Sequence, residues 1–288
     1  MVTANLETLL LLAETGSMTR AATRLRVTQS AVSKRIDALE RELGEVLVLR
    51  GRRGVTLTAR GQELVLRTQP LLAELKRSLD RRPGPARIAL GVSESLLASW
   101  APRLLGAALA DVPGLELVLS AHRSPVAVDL VRAGEYELAL AAGAADLAPD
   151  LLSEALGHEP MVLVGGKGRP ALRRGQTLRV WSIEPNSATW RALEPGLQAL
   201  ARERGLRLEV THTLQSFPAV VQLARAGFGL GLVPIGIARA MSVPKASIAG
   251  LPGLSRPVSV FGRKTAFQRG EVTAFVKALA RHFSARAP

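Results

Sequence analysis

The chain has 288 residues, 47% of them hydrophobic, and carries 38 lysines and arginines against 24 acids for a formal charge of +14. That length exceeds what one small core organises and suits two or three modules, while the charge makes a polyanion a natural partner without specifying a fold. With no cysteine, disulfides, thiolate metal sites and thiol nucleophiles are excluded, and the four histidines, His122, His158, His212 and His282, lack the spacing of a metal site, so neither metal nor cofactor is expected.

The first residues contain an apolar run, Leu9 to Leu12, but Glu7 and Glu14 flank it and no basic region or small-residue cleavage site accompanies it. It reads as a helix with Leu6, Leu9, Leu10 and Ala13 on its inner face, not as an export signal. Nowhere do about 18 uncharged apolar residues run together, so no membrane span and a cytoplasmic address are expected. Two capped helices follow. Ser17 is a suitable N-cap for Met18 to Leu25 and Thr28 for Gln29 to Leu43, because each hydroxyl can accept a backbone N–H that the first turn leaves unpaired. In the second helix Val32, Ile36, Leu39 and Leu43 fall at spacings of four, three and four, one inward stripe.

That stripe leaves Gln29, Ser30, Ser33 and Lys34 outward at the amino-terminal end, with Arg35 beside them. Two short helices joined by a turn of about three residues, the second with such a rim, are what a helix-turn-helix inserts into the major groove. Glutamine can bond two adenine edge atoms, serine can donate or accept, and lysine or arginine reaches guanine or phosphate. The stretch EVLVLRGRRGVTLT then reads as two short strands around a basic turn, a wing whose Arg50, Arg52 and Arg53 would lie against phosphates or reach a minor groove. Between Gly16 and Gly61 ten basic residues stand against four acids, and the acids lie on the far half of the second helix.

From Thr58 to about Asp80 another helix places Leu64, Leu71, Leu75 and Leu79 in a seam that would pair two copies, with Pro70 interrupting it. The alternative is a helix lying on its own downstream domain with a kink at the proline. Arg81-Arg82-Pro83-Gly84-Pro85 cannot continue a helix and marks a domain boundary.

Beyond it, ARIALGV, LLASWAPRLLGAALAD, LELVLSA, SPVAVDLVRAG and YELALA alternate as βαβαβ, which implies a parallel sheet. A second set follows: MVLVGG, LRVWSI, a helix near Thr189 to Arg204, LRLEVTH, a helix near Ser216 to Ala226, and GLGLVP. PVSVFGR and a helix near Gly270 to Phe283 close the chain. Two successive α/β units with a late return predict two lobes with the chain crossing near Glu159 to Gly165 and again near Pro257 to Lys264. The glycines of Gly227 to Gly231 sit between helix and strand, the reverse of a dinucleotide loop, and Gly165-Gly166-Lys167-Gly168 lacks the hydroxyl residue of a P-loop. With no nucleophile elbow or acid pair, an enzyme is not expected.

The ordered set Ala13-Glu14-x-Gly16-Ser17, Thr19-x-Ala21-Ala22, Leu25, Thr28-Gln29-Ser30-Ala31-Val32-Ser33, Ile36, Leu39-Glu40, Leu43-Gly44, Leu47, Arg50 and Leu57-Thr58-x-x-Gly61 resembles the N-terminal signature of LysR-type transcriptional regulators. Gly134-x-Tyr136-Glu137-Leu138-Ala139 and Gly227-x-Gly229-x-Gly231-Leu232-Val233-Pro234 are similar to segments of that family's effector-binding domain. Leu9, Met18 and Val48 depart from it where phenylalanine is frequent, but stay apolar. The resemblance implies a winged helix-turn-helix over 1–58, a linker or dimerisation helix over 59–82, and a two-lobed, periplasmic-binding-protein-like α/β domain over 86–288. Lobe I would span about 86–159 and 264–288, and lobe II about 160–263. The implied partners are double-stranded DNA, a small-molecule effector, and further copies of the chain in a dimer or tetramer on an interrupted inverted repeat.

The resemblance also implies an effector between the lobes, near Ser93 and Ser95, Ser124, and Asn186 with Ser187, with Phe217 as a wall. Ser95 and Ser124 each precede a predicted helix, where unpaired N–H groups favour an anion such as a small organic acid; as ordinary N-caps they would touch no ligand. The rival reading is a cytoplasmic carrier of the binding-protein class whose N-terminal helices serve assembly only.

Overall fold

The computed structural model describes residues 2–51, 54–79, 86–122, 124–143, 150–166, 168–184 and 187–286; the side chains of residues 2, 74, 77, 78, 124, 125 and 286 lie outside that description. The chain divides into two compact units, residues 1–83 with 132–135, and residues 84–131 with 136–288.

The first unit is built on helices α1 (Val2–Thr15), α2 (Met18–Leu25) and α3 (Gln29–Leu43), a hairpin of β1 (Val48–Gly51) and β2 (Gly54–Leu57), and α4 (Ala59–Leu79). Its core gathers Leu9, Leu12, Met18, Ala21, Val32, Ile36, Leu39, Leu47 and Val48, so the three positions that depart from phenylalanine are all buried. Ser17 Oγ accepts from the Arg20 N–H at 3.4 Å and Thr28 Oγ1 from the Ala31 N–H at 3.2 Å, so both expected caps are in place. Arg26 ends α2 in the left-handed region at φ 54°, its N–H returned to Ala22 and Thr23.

Backbone-to-side-chain bonds fix the wing to the helices. Glu40 Oε1 accepts from the N–H groups of Leu47 and Val48 at 2.7 and 3.1 Å, which satisfies the chain where it leaves α3. Thr58 Oγ1 donates to the Val46 carbonyl at 2.8 Å and accepts from the Gly61 N–H at 3.0 Å, so it caps α4 and ties it to the wing. A Cβ on Gly61 would lie 2.2 Å from the Leu47 carbonyl oxygen, hence glycine at that position. The motif residues Glu40, Thr58 and Gly61 therefore serve one junction.

Helix α4 runs unbroken through Pro70, which removes one helical N–H without ending the helix. Leu64 packs on the first unit's core, whereas Leu71, Leu75 and Leu79 remain exposed, at 62%, 43% and 70%.

In the second unit the described strands form one eight-stranded ladder in the order β4-β3-β5-β10-β6-β9-β7-β8. Parallel strands β3 (Ala86–Ser93), β4 (Leu115–His122) and β5 (Leu138–Ala142), with helices α5 (Glu94–Leu97), α6 (Ala101–Ala110), α7 (Ser124–Arg132) and the C-terminal α11 (Gly270–Arg286), make lobe I. Strands β7 (Thr177–Ile183), β8 (Arg207–Leu214) and β9 (Leu230–Pro234), with α8 (Ala188–Arg204), α9 (Phe217–Arg225) and α10 (Ile235–Ala240), make lobe II. Each lobe has its own core, one around Leu90, Leu140, Val260 and Phe275 and the other around Leu163, Val180, Val220 and Leu232.

The lobes are joined by two long antiparallel strands, β6 (Leu151–Val164) and β10 (Ile248–Arg263). The parallel reading holds within each lobe but not at the join: β10 pairs antiparallel with β5 and β6, and β6 pairs antiparallel with β9. MVLVGG and PVSVFGR are thus the ends of much longer strands. The crossing centres on Glu159 and Arg256, which are directly opposite in the ladder, so the return lies just before the expected stretch from Pro257. The single helix expected over LLASWAPRLLGAALAD is two, α5 and α6, with Pro102 in the first turn of the second, where a missing N–H costs nothing.

Candidate nucleic-acid interface and interlobe cleft

The amino-terminal rim of α3 faces solvent. Gln29, Ser30 and Lys34 are exposed and Ser33 half-buried. Together with Ser17 and Thr19 of the α2 turn and Arg50 of the wing, Gln29, Ser30 and Ser33 line one surface groove. The side chains of Gln29 and Lys34 make no hydrogen bond to the protein among the described residues, so their donors and acceptors are open to an incoming partner. Ser30 Oγ shares a hydrogen bond with Thr28 Oγ1 at 3.0 Å.

The arginines divide. Arg35 turns back toward α1, its Nη1 3.4 Å from Thr8 Oγ1, because its position on the helix faces that neighbour; it buttresses α3 and does not join the outward rim. Arg50 lines the groove but is paired with Asp37 at 2.5 Å, and Asp37 also accepts from Ser33 Oγ at 3.4 Å. Both members of the ion pair are about half exposed, so salt and a phosphate can compete for the guanidinium. Arg52 and Arg53 lie outside the described residues.

In the second unit a cavity of about 60 Å³ opens between the lobes. Ser93, Ser95, Ser187 and Phe217 line it. Ser93, not Ser95, precedes α5; Ser95 sits inside that short helix, and its Oγ accepts from Arg256 Nη1 at 3.0 Å. Ser187 caps α8 by accepting from the Trp190 N–H at 3.1 Å. Phe217 opens α9, is 4% exposed, and lies 5.5 Å beneath the Arg256 guanidinium. Ser124 is the first residue of α7, with its side chain outside the description, and Asn186 lies outside the described residues altogether.

The floor of the cleft holds a pair absent from the sequence expectations. Glu159 and Arg256 are 0% and 1% exposed, and Arg256 Nε and Nη2 donate to Glu159 Oε2 at 2.9 and 2.7 Å. The other oxygen, Oε1, accepts from Trp100 Nε1 in lobe I at 3.0 Å and from the Gly236 N–H in lobe II at 3.1 Å. A Cβ on Gly236 would sit 2.5 Å from that oxygen. Arg256 likewise reaches Ser95 in lobe I and Phe217 in lobe II, so the pair touches both lobes from both ends. No local periodicity announces it. A charged residue inside an otherwise strand-like apolar run, as in Glu159 before MVLV and Arg256 before PVSV, was the available signal.

His122 also lines the cavity, stacked on Tyr136 at 4.6 Å between ring centroids, with Nδ1 3.3 Å from the Tyr136 hydroxyl. Burial holds its pKa below the usual histidine value, and its buried Nε2 has no hydrogen-bond partner among the described residues. The described residues contain no cluster of side chains that could hold a metal ion and no helix long and apolar enough to cross a membrane.

Comparison with known proteins identifies both modules. Residues 3–62 match the family model for the bacterial regulatory helix-turn-helix protein, lysR family, and residues 82–284 match the LysR substrate binding domain. The chain is 27% identical over 285 residues to an uncharacterized HTH-type transcriptional regulator of Vibrio cholerae, covering 97% of this chain and 96% of that protein. Full-length CbnR complexed with its target DNA shares the fold at a TM-score of 0.68 and 21% identity, covering 98% of this chain and 99% of that one. The regulator LysG from Corynebacterium glutamicum, with bound effector Arg, does so at 0.61 and 23%, over 98% and 99%. With a helix-turn-helix and a two-lobed substrate-binding domain together spanning nearly all of its length, the chain belongs to the LysR family of transcriptional regulators, and its role is control of transcription rather than catalysis.

Proposed function

We propose that the protein is a cytoplasmic, sequence-specific DNA-binding regulator whose α3 rim reads bases in the major groove and whose interlobe cleft binds the controlling small molecule. The exposed, unpaired Gln29 and Lys34 beside Ser30 and Ser33 carry the first part. Arg50, Arg52 and Arg53 contact the backbone from the wing, positioning α3 without specifying sequence. Copies of the chain associate through α4, whose Leu71, Leu75 and Leu79 stay exposed among the described residues.

Control follows from the join. A ligand shifts an arrangement only by binding one state more tightly than another. The cleft lies over the Glu159–Arg256 pair, and a ligand gripping Ser95 and Arg256 in one lobe arrangement and not in another changes how the DNA-binding units are presented. Selection of genomic fragments by the full-length protein, followed by footprinting, tests the reading. The expected result is one protected site at low protein concentration; equal affinity for all DNA overturns the claim.

A further inference from the structure

One turn beyond the rim of α3 stands an acid. Asp37 follows Ser33 by four residues on the same helix face, and its side chain is 47% exposed. A carboxylate in that place opposes DNA, because it repels the phosphates that a chain of charge +14 attracts. The acids near it are used by the fold: Glu40 binds the N–H groups of Leu47 and Val48, and Glu45 pairs with Arg60. Asp37 has no such use. Among the described residues its carboxylate meets Arg50 at Oδ1 and the Ser33 hydroxyl at Oδ2, and no backbone group. Arg41 donates to the main-chain carbonyl of Asp37 at 3.2 Å and leaves the carboxylate to those two.

Arg50 is the one charged side chain that lines the groove among the described residues. Asp37 thus stands between the groove's cation and phosphate. With both partners about half exposed, the ion pair is weak enough for a phosphate held against the wing to displace the carboxylate. On a matching site the seated α3 fixes where that phosphate lies, whereas on unrelated DNA the protein slides and hops and no phosphate stays opposite Arg50. The restraint therefore costs more on the wrong DNA than on the right one. A penalty against the wrong partner raises specificity as surely as a contact with the right one.

We propose that Asp37 is a specificity-determining residue of the DNA-reading face, which holds Arg50 back from phosphate until α3 is seated on its site. The inference rests on the regulator reading of the α3 rim and adds to it a device against indiscriminate binding.

The experiment is fluorescence anisotropy with the full-length protein, Asp37→Asn, Arg50→Ala and the double variant, each titrated over a range of salt with the duplex selected from genomic fragments and with a random duplex. Asp37→Asn removes the charge, keeps the shape and leaves every backbone hydrogen bond in place. Its affinity for the random duplex is expected to rise about fivefold, with a log–log salt slope steeper by about 0.9. For the selected duplex the rise should stay below about twofold. In the Arg50→Ala background the same substitution should change neither affinity nor slope, since the restrained cation is gone. An equal rise on both duplexes, a rise that persists without Arg50, or no change on either overturns the inference. So does a loss of affinity confined to the selected duplex, which would make Asp37 a direct reader of a cytosine amino group. A parent that prefers no duplex removes the regulator reading, and the salt slopes on the random duplex then decide the restraint on Arg50 by themselves.

Discussion

Glu159 and Arg256 lie opposite each other in the β6–β10 ladder, out of contact with water, at the point where both strands pass from one lobe to the other. A buried charge survives there because both members are held: Trp100, the Gly236 N–H and Arg256 donate to the carboxylate, and Glu159 and Ser95 accept from all three nitrogens of the guanidinium. Removing one member leaves the other charged and unpaired, which costs about 3–5 kcal/mol in such settings. Arg256→Met is therefore expected to lower the urea midpoint sharply, and Glu159→Gln with Arg256→Met to recover much of the loss. A single variant within about 0.5 kcal/mol of the parent would show that the pair is not what holds the join.

The junction of wing and helices is equally specific. The Leu47 carbonyl cannot retreat from a Cβ at position 61, because it already accepts from the Thr58 N–H at 2.9 Å. Gly61→Ala should destabilise the first unit by about 2–4 kcal/mol through this clash and weaken DNA binding, while the unfolding transition of the second unit stays where it was. Differential scanning calorimetry resolves the two transitions; an unshifted first transition would contradict the geometry.

Helix α4 presents Leu71, Leu75 and Leu79 to solvent in one chain. Changing all three to serine removes apolar surface without disturbing the helix's own core contacts at Leu64. Sedimentation should show the parent as a dimer or larger and the triple variant as a monomer. A triple variant that still sediments like the parent dimer would place the association elsewhere.

His122 gives a pH dependence whose sign is fixed by its burial. Its folded pKa lies below the unfolded value, so between the two the unfolded chain binds the extra proton. The contribution is fully present above the unfolded histidine range and is lost as pH falls toward the folded pKa. His122→Gln should flatten the decline in melting temperature between about pH 7 and pH 5. An unchanged slope would mean that the histidine is solvated in the folded state.

Much of this was legible before any coordinates. Caps at Ser17 and Thr28 and the stripe Val32, Ile36, Leu39 are local signals, and the structure repeats them because nothing tertiary opposes them. The fold class followed from the alternation of strands and helices, and the helix-turn-helix from the order of its parts. Only the most apolar ends of the long strands β6 and β10 show in the sequence, since Ser153-Glu154 carries no strand pattern and pairs because its neighbours do, and Leu251 to Leu254 fall in an irregularity of the β10–β6 register. Ser95 lies inside α5 instead of before a helix, since a helix of four residues, Glu94–Leu97, is too short to show a period. Arg35 looked like a rim residue by spacing alone; its direction depends on α1, which spacing does not encode. Glu159 and Arg256 lie 97 residues apart in the chain, so no local window joins them.

The central claim is that the solvent-facing rim of α3 reads bases, and fluorescence anisotropy with the selected DNA site and single-base variants of it tests this most directly. For the parent protein at fixed salt, a substitution at the base read by Gln29 should weaken binding by about 1–3 kcal/mol. Gln29→Ala should erase that difference and leave affinity for unrelated DNA unchanged. If Gln29→Ala and Ser33→Ala both kept the parent's full preference for the selected site, the rim would not be the reader.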